Sequence, residues 1–351
     1  MLEMKDESAN GETAAQVAGL EERLSDPGPT LPADLASLPG DILILGAGGK
    51  IGPNLVRMAL RADAAAGVRR RVFAASRFSD PAKARALEAA GAHIERIDLS
   101  SPADLARLPD AENVVFLVSA RFGMEGLEPS MWRTNAFMPG EVVRRFPTSR
   151  LVALSSGNVY PLSAVAQGGS TEATPVQPVG EYGMSCLGRE RVMMQLAQET
   201  GADLAVLRLN YAVEMRYGPL VDIARAVHGG EKVHLGMGLV NVVWQGYANE
   251  VILRALSLAS CPGVVLNVAG PETVSIRHLA LRLGAHLGRP VTFEGEEAAT
   301  ALLSNAERCH TLYGYPRVTL GQLIEDTAAW VSAGLPLIGR GSGFQKRDGK
   351  F

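Results

Sequence analysis

The sequence predicts an α/β protein built on a doubly wound parallel sheet, with a smaller C-terminal region. The run Ile42–Leu45 is aliphatic at every position, as expected of a strand that is buried on both faces. Similar runs recur along the first half of the chain, and helical stretches separate them, which indicates βαβ units. A glycine cluster, Gly46–Gly52, joins the first run to the first of these helices.

The same pattern places the individual elements. A helix over 13–24 precedes the sheet and is stopped by the prolines of residues 26–29. A second helix is expected over 81–90, followed by Gly91. Strands are expected over 42–45, 72–75, 93–97, 114–118, 151–154, 204–207 and, returning to the sheet from the second half, 264–268.

Composition excludes several classes of protein. The chain has 351 residues and a formal net charge of -3, with acidic and basic residues mixed throughout. Nucleic-acid binding requires a concentrated basic surface, so no nucleic-acid partner is expected. No apolar run approaches the roughly 18 residues of a membrane-spanning helix, and the acidic N-terminus lacks the apolar core of a secretory signal. The one basic cluster, Lys346, Arg347 and Lys350, is expected to be a solvated tail.

The cysteines favour a reducing compartment. Three cysteines, odd in number and widely spaced, do not make a disulfide framework, so a cytoplasmic location is expected. Cys309 and His310 are adjacent rather than at ligand spacing, so no metal site is predicted.

The glycine cluster predicts a phosphate-binding loop. It follows a strand directly and leads into a helix at Pro53, so its backbone can approach a pyrophosphate beside the free N–H groups of the helix. Because the Gly-Lys-Ser/Thr ending is absent, ATP or GTP hydrolysis is disfavoured. The loop therefore predicts a Rossmann-type dinucleotide site. Its cofactor-binding residues are Gly46, Gly48, Gly49, Lys50, Ile51 and Gly52.

The end of the second strand indicates which dinucleotide binds. Ser76 and Arg77 stand where an NAD-preferring site normally has a carboxylate, and a guanidinium suits the additional phosphate of NADP. NADP is the expected cofactor, with NAD as the alternative. Asp98 and Leu99, which close the third strand, are expected to meet the adenine edge; the alternative is that Asp98 caps a helix.

In these motifs the chain resembles the extended short-chain dehydrogenase/reductase family of the NAD-dependent epimerase/dehydratase type, from about residue 41 to about 335. Beyond the glycine loop and Asp98–Leu99, the markers are Val118–Ala120, Asn135, Ser155–Pro161, Glu181–Gly183, Arg208–Tyr211, Asn267–Gly270 and Val274–Ile276. The resemblance implies that Val118, Ser119 and Ala120 line the cofactor site. It also implies a homodimer formed by the helices near 130–146 and 182–200.

The resemblance further implies a catalytic pair. In the family a tyrosine acts as general acid/base, a serine or threonine binds the reacting oxygen, and a lysine four residues after the tyrosine supports both. Tyr182 and Ser156 match the first two, but Cys186 stands at the lysine position. A phenol has a pKa near 10 and is a poor base at neutral pH unless a nearby cation favours the phenolate. A thiol does not supply that charge.

Cys186 is open to two interpretations: a nucleophile, for which no base is in place, or a small buried filler. Arg189 lies on roughly the same helix face, two turns or about 10 Å from Tyr182, and is expected to substitute poorly for the lysine.

The expected division of the chain is an extension over 1–40, a dinucleotide-binding domain over 41–205, a mainly substrate-binding region over 206–335 and a tail over 336–351. The substrate candidates follow strands at the edge where ligands collect in parallel sheets: Arg121, Asn158, Tyr211 and Asn241.

Two functions remain open. One is an NADP-dependent oxidoreductase or epimerase that acts on a sugar, a sugar acid or a nucleotide sugar. The other is a catalytically degenerate dinucleotide-binding sensor or scaffold, which the missing lysine favours.

Overall fold

The computed structural model describes residues 2–120, 126–339 and 341–349, and the side chains from residue 11 onward. Seven parallel strands form the central sheet in the order β7-β6-β5-β4-β1-β2-β3. They are β1 Ile42–Leu45, β2 Val72–Ser76, β3 His93–Arg96, β4 Asn113–Phe116, β5 Arg150–Ser156, β6 Asp203–Leu209 and β7 Val264–Val268. The predicted fold class is confirmed. The strand order reverses between β1 and β4, which places a crevice at their carboxyl ends.

Helices cover both faces of this sheet. Within the described ranges the α-helices are α1 Leu2–Leu24, α2 Leu31–Ala36, α3 Gly52–Ala66, α4 Pro81–Ala89, α5 Pro102–Arg107, α6 Glu128–Trp132, α7 Met138–Arg145, α8 Gly180–Thr200, α9 Pro219–His228, α10 Gln245–Arg254, α11 Ile276–Leu287, α12 Glu307–Tyr313 and α13 Leu320–Ser332. A π-helix, Arg133–Phe137, joins α6 to α7, and single 3-10 turns lie at Gly157–Val159, Val165–Gln167 and Ala255–Ser257.

Four pairs of two-residue strands shape the second half of the chain. Ser163–Ala164 pairs with Thr300–Ala301, Ala212–Val213 with Val243–Trp244, Val233–His234 with Phe293–Glu294, and Leu239–Val240 with Val274–Ser275. The smaller region is therefore tied together by short pairings, whereas the first half is organised by the sheet.

The two faces of the sheet make two separate cores, as the alternation of side chains along a strand requires. Ile42 and Ile44 of β1 point into the larger core, whereas Leu43 and Leu45 point into the other. All four are fully buried. The run is apolar at every position because each face of the sheet is covered.

The strand bounds differ from expectation where a polar residue begins or ends a strand. β4 starts at Asn113, whose buried amide donates to the Pro39 carbonyl at 2.9 Å, and it ends at Phe116, short of Val118. β3 ends at Arg96 rather than at Ile97, and β2 extends to Ser76. Aliphatic runs reveal the buried middle of a strand but not polar ends that other side chains satisfy.

Both chain extensions are more ordered than the sequence indicates. The first helix spans Leu2–Leu24 rather than 13–24, and Leu20 and Leu24 enter the larger core. At the other end, Lys346 is exposed as expected, but Arg347 is only partly exposed: its guanidinium donates to the Gly236 carbonyl at 3.2 Å and to Thr300 Oγ1 at 2.7 Å. Lys350 lies outside the described residues.

The tail also contacts the start of α8. A Cβ atom added at Gly180 would lie 2.5 Å from the carbonyl oxygen of Gly349, so the two backbones pack directly against each other. The tail therefore bridges the smaller region and the helix that carries Tyr182.

A buried ion pair joins α8 to the sheet. Glu190 of α8 accepts from Arg208 of β6 at 2.6 Å and from the Ser155 hydroxyl of β5 at 2.5 Å. Arg208 also donates to the Tyr160 hydroxyl at 2.7 Å, and that hydroxyl donates to Asn267 of β7 at 2.8 Å. Because these donors and acceptors are satisfied, the network fixes the position of α8 against three strands.

Replacing Arg208 with methionine should lower the free energy of unfolding by about 3–5 kcal/mol, because the Glu190 carboxylate then stays buried without its cation. Arg107→Met is the matched control, since it breaks the exposed Arg107–Asp104 pair and should cost less than about 1 kcal/mol. Urea unfolding followed by circular dichroism measures both. Equal losses in the two variants would contradict the role assigned to the buried pair.

Candidate functional site

The candidate site lies at the carboxyl ends of β1, β4 and β5, beside the first turns of α8. The glycine loop follows β1, residues 117–120 follow β4, and Ser156 ends β5. Tyr182 lies in the first turn of α8. This edge of the sheet is where parallel α/β proteins bind their ligands.

The glycine loop has a backbone that only glycine adopts without strain or collision. Gly46 has φ +92°, and its N–H and that of Ala47 both donate to the Ala75 carbonyl, at 2.8 and 3.1 Å. A Cβ atom at Gly52 would lie 2.4 Å from the Ala47 carbonyl oxygen. The loop is therefore folded tightly between β1 and β2.

This loop fits the pyrophosphate of a dinucleotide. A Cβ atom at Gly48 would come within 2.8 Å of Ser76 Oγ, so a side chain there would fill the cradle. No side chain caps the N-terminus of α3, where Ile51 stands at the cap position. The first N–H groups of that helix remain available to an anion, which the helix dipole also favours.

Lys50 directs its side chain away from the loop. Its Nζ donates to the Ala212 carbonyl at 3.0 Å and lies 4.2 Å from the centre of the Tyr217 ring. The lysine therefore ties the glycine loop to the second half of the chain, and its backbone is the part that lies in the cradle.

The residues expected at the adenosine end occupy neighbouring positions. Arg77 is exposed, and it adds to the fields that lower the pKa of Asp98. The larger cause is the pair of bonds that Asp98 Oδ1 accepts from the backbone and hydroxyl of Ser100, at 2.9 and 2.8 Å. Asp98 is not a helix cap, because Ser101 caps α5. Leu99 is buried beside it.

Asn135 organises the loop after β4, a role that the sequence did not reveal. Its Oδ1 accepts from the Ala120 N–H at 2.7 Å and from the Ser119 hydroxyl at 3.1 Å, and its Nδ2 donates to Ser185 Oγ at 2.9 Å. Asn135 was predicted only as a marker of the resemblance. The π-helix that carries it is a distortion often found at functional sites, and sequence periodicity does not show it.

Tyr182 is held by this loop. Its hydroxyl is hydrogen-bonded with Ser119 and with Cys186. Burial raises the pKa of the phenol above its ordinary value, the nearby thiol raises it further, and the positive charge of Arg189 lowers it. The phenol is therefore overwhelmingly protonated at neutral pH.

Ser156 and Asn158 form a turn at the end of β5. Ser156 Oγ accepts from the Asn158 N–H at 3.1 Å. In the described part of the chain its hydroxyl proton has no acceptor of its own. The serine is buried, so this proton is available to a ligand oxygen in the crevice.

Cys186 is a buried filler by its surroundings. It is fully buried in an apolar cluster with Val159 and Tyr160, and burial raises the pKa of its thiol. A thiol that stays protonated is a poor nucleophile.

The remaining substrate candidates differ in burial and in the hydrogen bonds of their side chains. Tyr211 is partly buried, has the unusual φ of +42° and packs against the larger core. Asn241 is buried; its amide donates to the Ser304 carbonyl at 2.8 Å and accepts from Asn210 at 2.7 Å. Asn241 therefore braces the wall of the crevice. Arg121 lies outside the described residues.

Over the described ranges, no group of three or more His, Cys, Asp or Glu is arranged to hold a metal ion. Among the helices described, none combines the length and apolar character that crossing a membrane requires.

Solved structures share this fold. UDP-glucuronic acid 4-epimerase from Bacillus cereus, in complex with NAD, has a TM-score of 0.69 and 19% identity over 83% of this chain and 96% of its own. The dTDP-glucose 4,6-dehydratase DesIV from Streptomyces venezuelae, with NAD and TYD bound, has a TM-score of 0.70 and 19% identity over 83% and 96%. UDP-glucose 4-epimerase from Thermus thermophilus, in complex with NAD, has a TM-score of 0.66 and 17% identity over 82% and 98%.

The sequence itself carries the family assignment. Among curated proteins, no sequence matches the chain. A family model described as the NAD dependent epimerase/dehydratase family matches residues 42–220, slightly more than half of the chain. The matched range contains the glycine loop, Ser156 and Tyr182, so the resemblance predicted from these motifs is confirmed. The chain belongs to the NAD dependent epimerase/dehydratase family.

Proposed function

We propose that this protein is a nicotinamide-dependent oxidoreductase or epimerase that acts on a nucleotide sugar. The observation that carries the proposal is the position of Tyr182, which is hydrogen-bonded to the loop after β4 at the crevice edge. The solved structures of similar fold include enzymes named for UDP-sugars and dTDP-glucose.

The cofactor would be held along the carboxyl edge of the sheet. The loop Gly46–Gly52 and the N-terminus of α3 would bind the pyrophosphate, and Asp98 and Leu99 would contact the adenine end. Val118, Ser119 and Ala120 line the inner part of the crevice. A nicotinamide bound there supplies the acceptor and donor of hydride.

The chain's own residues handle the proton and orient the substrate. The phenolate form of Tyr182 takes a proton from a carbinol oxygen when that carbon is oxidised, and the phenol returns the proton on reduction. Ser156 donates a hydrogen bond to the same oxygen, because its own oxygen is fixed by the Asn158 N–H. Asn158, Tyr211 and Arg121 are proposed to contact the sugar, with Asn241 supporting the wall behind them.

A second function is favoured by one observation. Because Cys186 stands four residues after Tyr182, the tyrosine has no cation at the position of the family lysine, and the pKa of its phenol is raised. A protein that binds the dinucleotide but does not turn over substrate would tolerate this arrangement. The experiments on Tyr182 separate the two functions.

NADP should bind more tightly than NAD, because the exposed guanidinium of Arg77 can donate two hydrogen bonds to the additional phosphate. Ser76 stands where an NAD-preferring site has a carboxylate, so no negative charge repels that phosphate. Arg77→Ala should narrow the difference, whereas Arg85→Ala, which removes an exposed arginine from α4, should leave it unchanged. Calorimetric titration with both dinucleotides measures this. Equal affinities of the wild type, or tighter NAD binding, would overturn the NADP assignment.

Replacing Tyr182 with phenylalanine should nearly abolish turnover and leave dinucleotide affinity within about twofold, because the phenol serves the proton and the glycine loop serves the cofactor. A panel of UDP- and dTDP-sugars, screened with oxidised and reduced cofactor, supplies the substrate. Tyr315→Phe, which removes the hydroxyl of a tyrosine that is 69% exposed, is the control and should keep its activity. Full activity of Tyr182→Phe would exclude the mechanism, and firm dinucleotide binding without turnover of any substrate would favour the second function.

The pH dependence of oxidation follows from the raised pKa of Tyr182. Because the phenolate is the base and its pKa lies above the ordinary value, kcat should rise with pH throughout the neutral and moderately alkaline range. Initial rates between pH 6 and about 10 with saturating substrate test this. A plateau that begins near neutrality would contradict the assignment of Tyr182 as the base.

A homodimer is proposed from the helices that flank the site. α6, the π-helix and α7 pack against α8, and apolar side chains remain on their outer surface: Phe137 is 56% exposed and Met184 is 39% exposed. Light scattering at micromolar concentration should show twice the 37.1 kDa chain mass, and Phe137→Glu should shift the particle toward the monomer. A monomer in the wild type would exclude this dimer.

A further inference from the structure

Arg189 is a buried cation, and the neighbouring buried carboxylate, Glu190, is paired with Arg208 instead. Its side chain is only 1% exposed, and within the described ranges it forms no ion pair. Instead its Nε donates to the Asn135 carbonyl at 3.1 Å, its Nη2 donates to Asn135 Oδ1 at 2.9 Å, and its Nη1 donates to the Leu154 carbonyl. The guanidinium also lies 5.7 Å from the centre of the Phe116 ring.

A buried charge of this kind is costly to keep. Removing an ion from water costs several kcal/mol even after the protein relaxes, and neutral carbonyl groups return only part of that. The neighbouring Arg208 shows the usual solution, since it is paired with Glu190 at 2.6 Å. Arg189 differs because its positive charge stays uncompensated and is directed at the loop that holds Tyr182.

A continuous path of hydrogen bonds connects the two residues. Arg189 bonds to Asn135 Oδ1, the Ser119 hydroxyl donates to the same oxygen at 3.1 Å, and Ser119 is hydrogen-bonded with the Tyr182 hydroxyl. The charge therefore fixes the amide of Asn135, and the amide fixes Ser119. While Tyr182 is protonated, its hydroxyl donates to Ser119 Oγ. When Tyr182 loses its proton, Ser119 can turn its hydroxyl hydrogen from Asn135 to the phenolate, because Arg189 and the Ala120 N–H still donate to Asn135 Oδ1.

We propose that Arg189 is a positioning residue that supplies Tyr182 with the positive charge missing from position 186, acting through Asn135 and Ser119. This inference rests on the proposed role of Tyr182. Among the described residues, the ionisable groups that act on Tyr182 are Cys186 and Arg189 of the same helix. Glu190, which acts on Cys186, is paired with Arg208 of β6. The sequence position, two turns from Tyr182, conceals this role, because the connection runs through the π-helix rather than along α8.

The test measures the phenol directly and needs no substrate. A fluorinated tyrosine, whose phenol is more acidic, is incorporated at position 182 of the full chain, and ¹⁹F NMR follows its ionisation with pH. Arg189→Gln should raise the pKa of this single fluorophenol by about one unit, a tenfold loss of acidity, because a nearby opposite charge favours the ionised form. Arg189→Lys keeps the charge and should stay within about half a unit of the parent.

Arg191→Gln is the matched control, because it removes the same charge from the exposed face of the same helix and should leave the titration unchanged. An unchanged pKa in Arg189→Gln, or a rise of a full unit in Arg189→Lys, overturns the proposal. If Arg189→Gln does not fold, Arg189→Met takes its place. A rise of a full unit in the pKa of Arg189→Lys still overturns the proposal. Failure of the proposed function would appear as full turnover by Tyr182→Phe. The titration needs no turnover, so it tests only the role of Arg189.

Discussion

The arrangement of the site depends on the buried pair between Glu190 and Arg208. α8 begins at the crevice and carries Tyr182, Cys186 and Arg189 on its inner face, so its rotation and depth decide where all three lie. The pair, with the hydroxyls of Ser155 and Tyr160, fixes that rotation against the sheet. A helix held only by apolar contacts could turn or slide by part of a residue spacing, because such contacts are not directional.

The fold was largely predictable from the sequence, because the strands of the parallel sheet appear as short, mainly aliphatic runs. Ile42–Leu45 and Val264–Val268 were predicted with the bounds that the structure shows. The glycine loop was equally predictable, because its conformation excludes other residues at Gly46 and Gly52. These features are local: a few neighbouring residues contain all the information that determines them.

The interior of the site was not predictable in the same way. Asn135 and Arg189 are 54 positions apart, and their contact depends on the π-helix, which the periodicity of the sequence does not reveal. The expectation that Arg189 substitutes poorly for a lysine rests on the distance along α8 and stays a prediction, whereas the hydrogen bonds of Arg189 to Asn135 cross between two helices. The contacts of the tail were not predictable either. Its charge suggests solvent, but Arg347 finds carbonyl acceptors that only the folded chain brings to it.

The contacts of this tail restrict how the crevice can open. Arg347 is bonded to Thr300 and Gly236 in the smaller region, and Gly349, two residues later, packs on the first turn of α8. A hinge motion that widened the crevice between the smaller region and α8 would have to break these bonds or pull the tail from the helix. Residues 347–349 therefore hold the smaller region to the first turn of α8, and widening the crevice at this point costs the hydrogen bonds of Arg347.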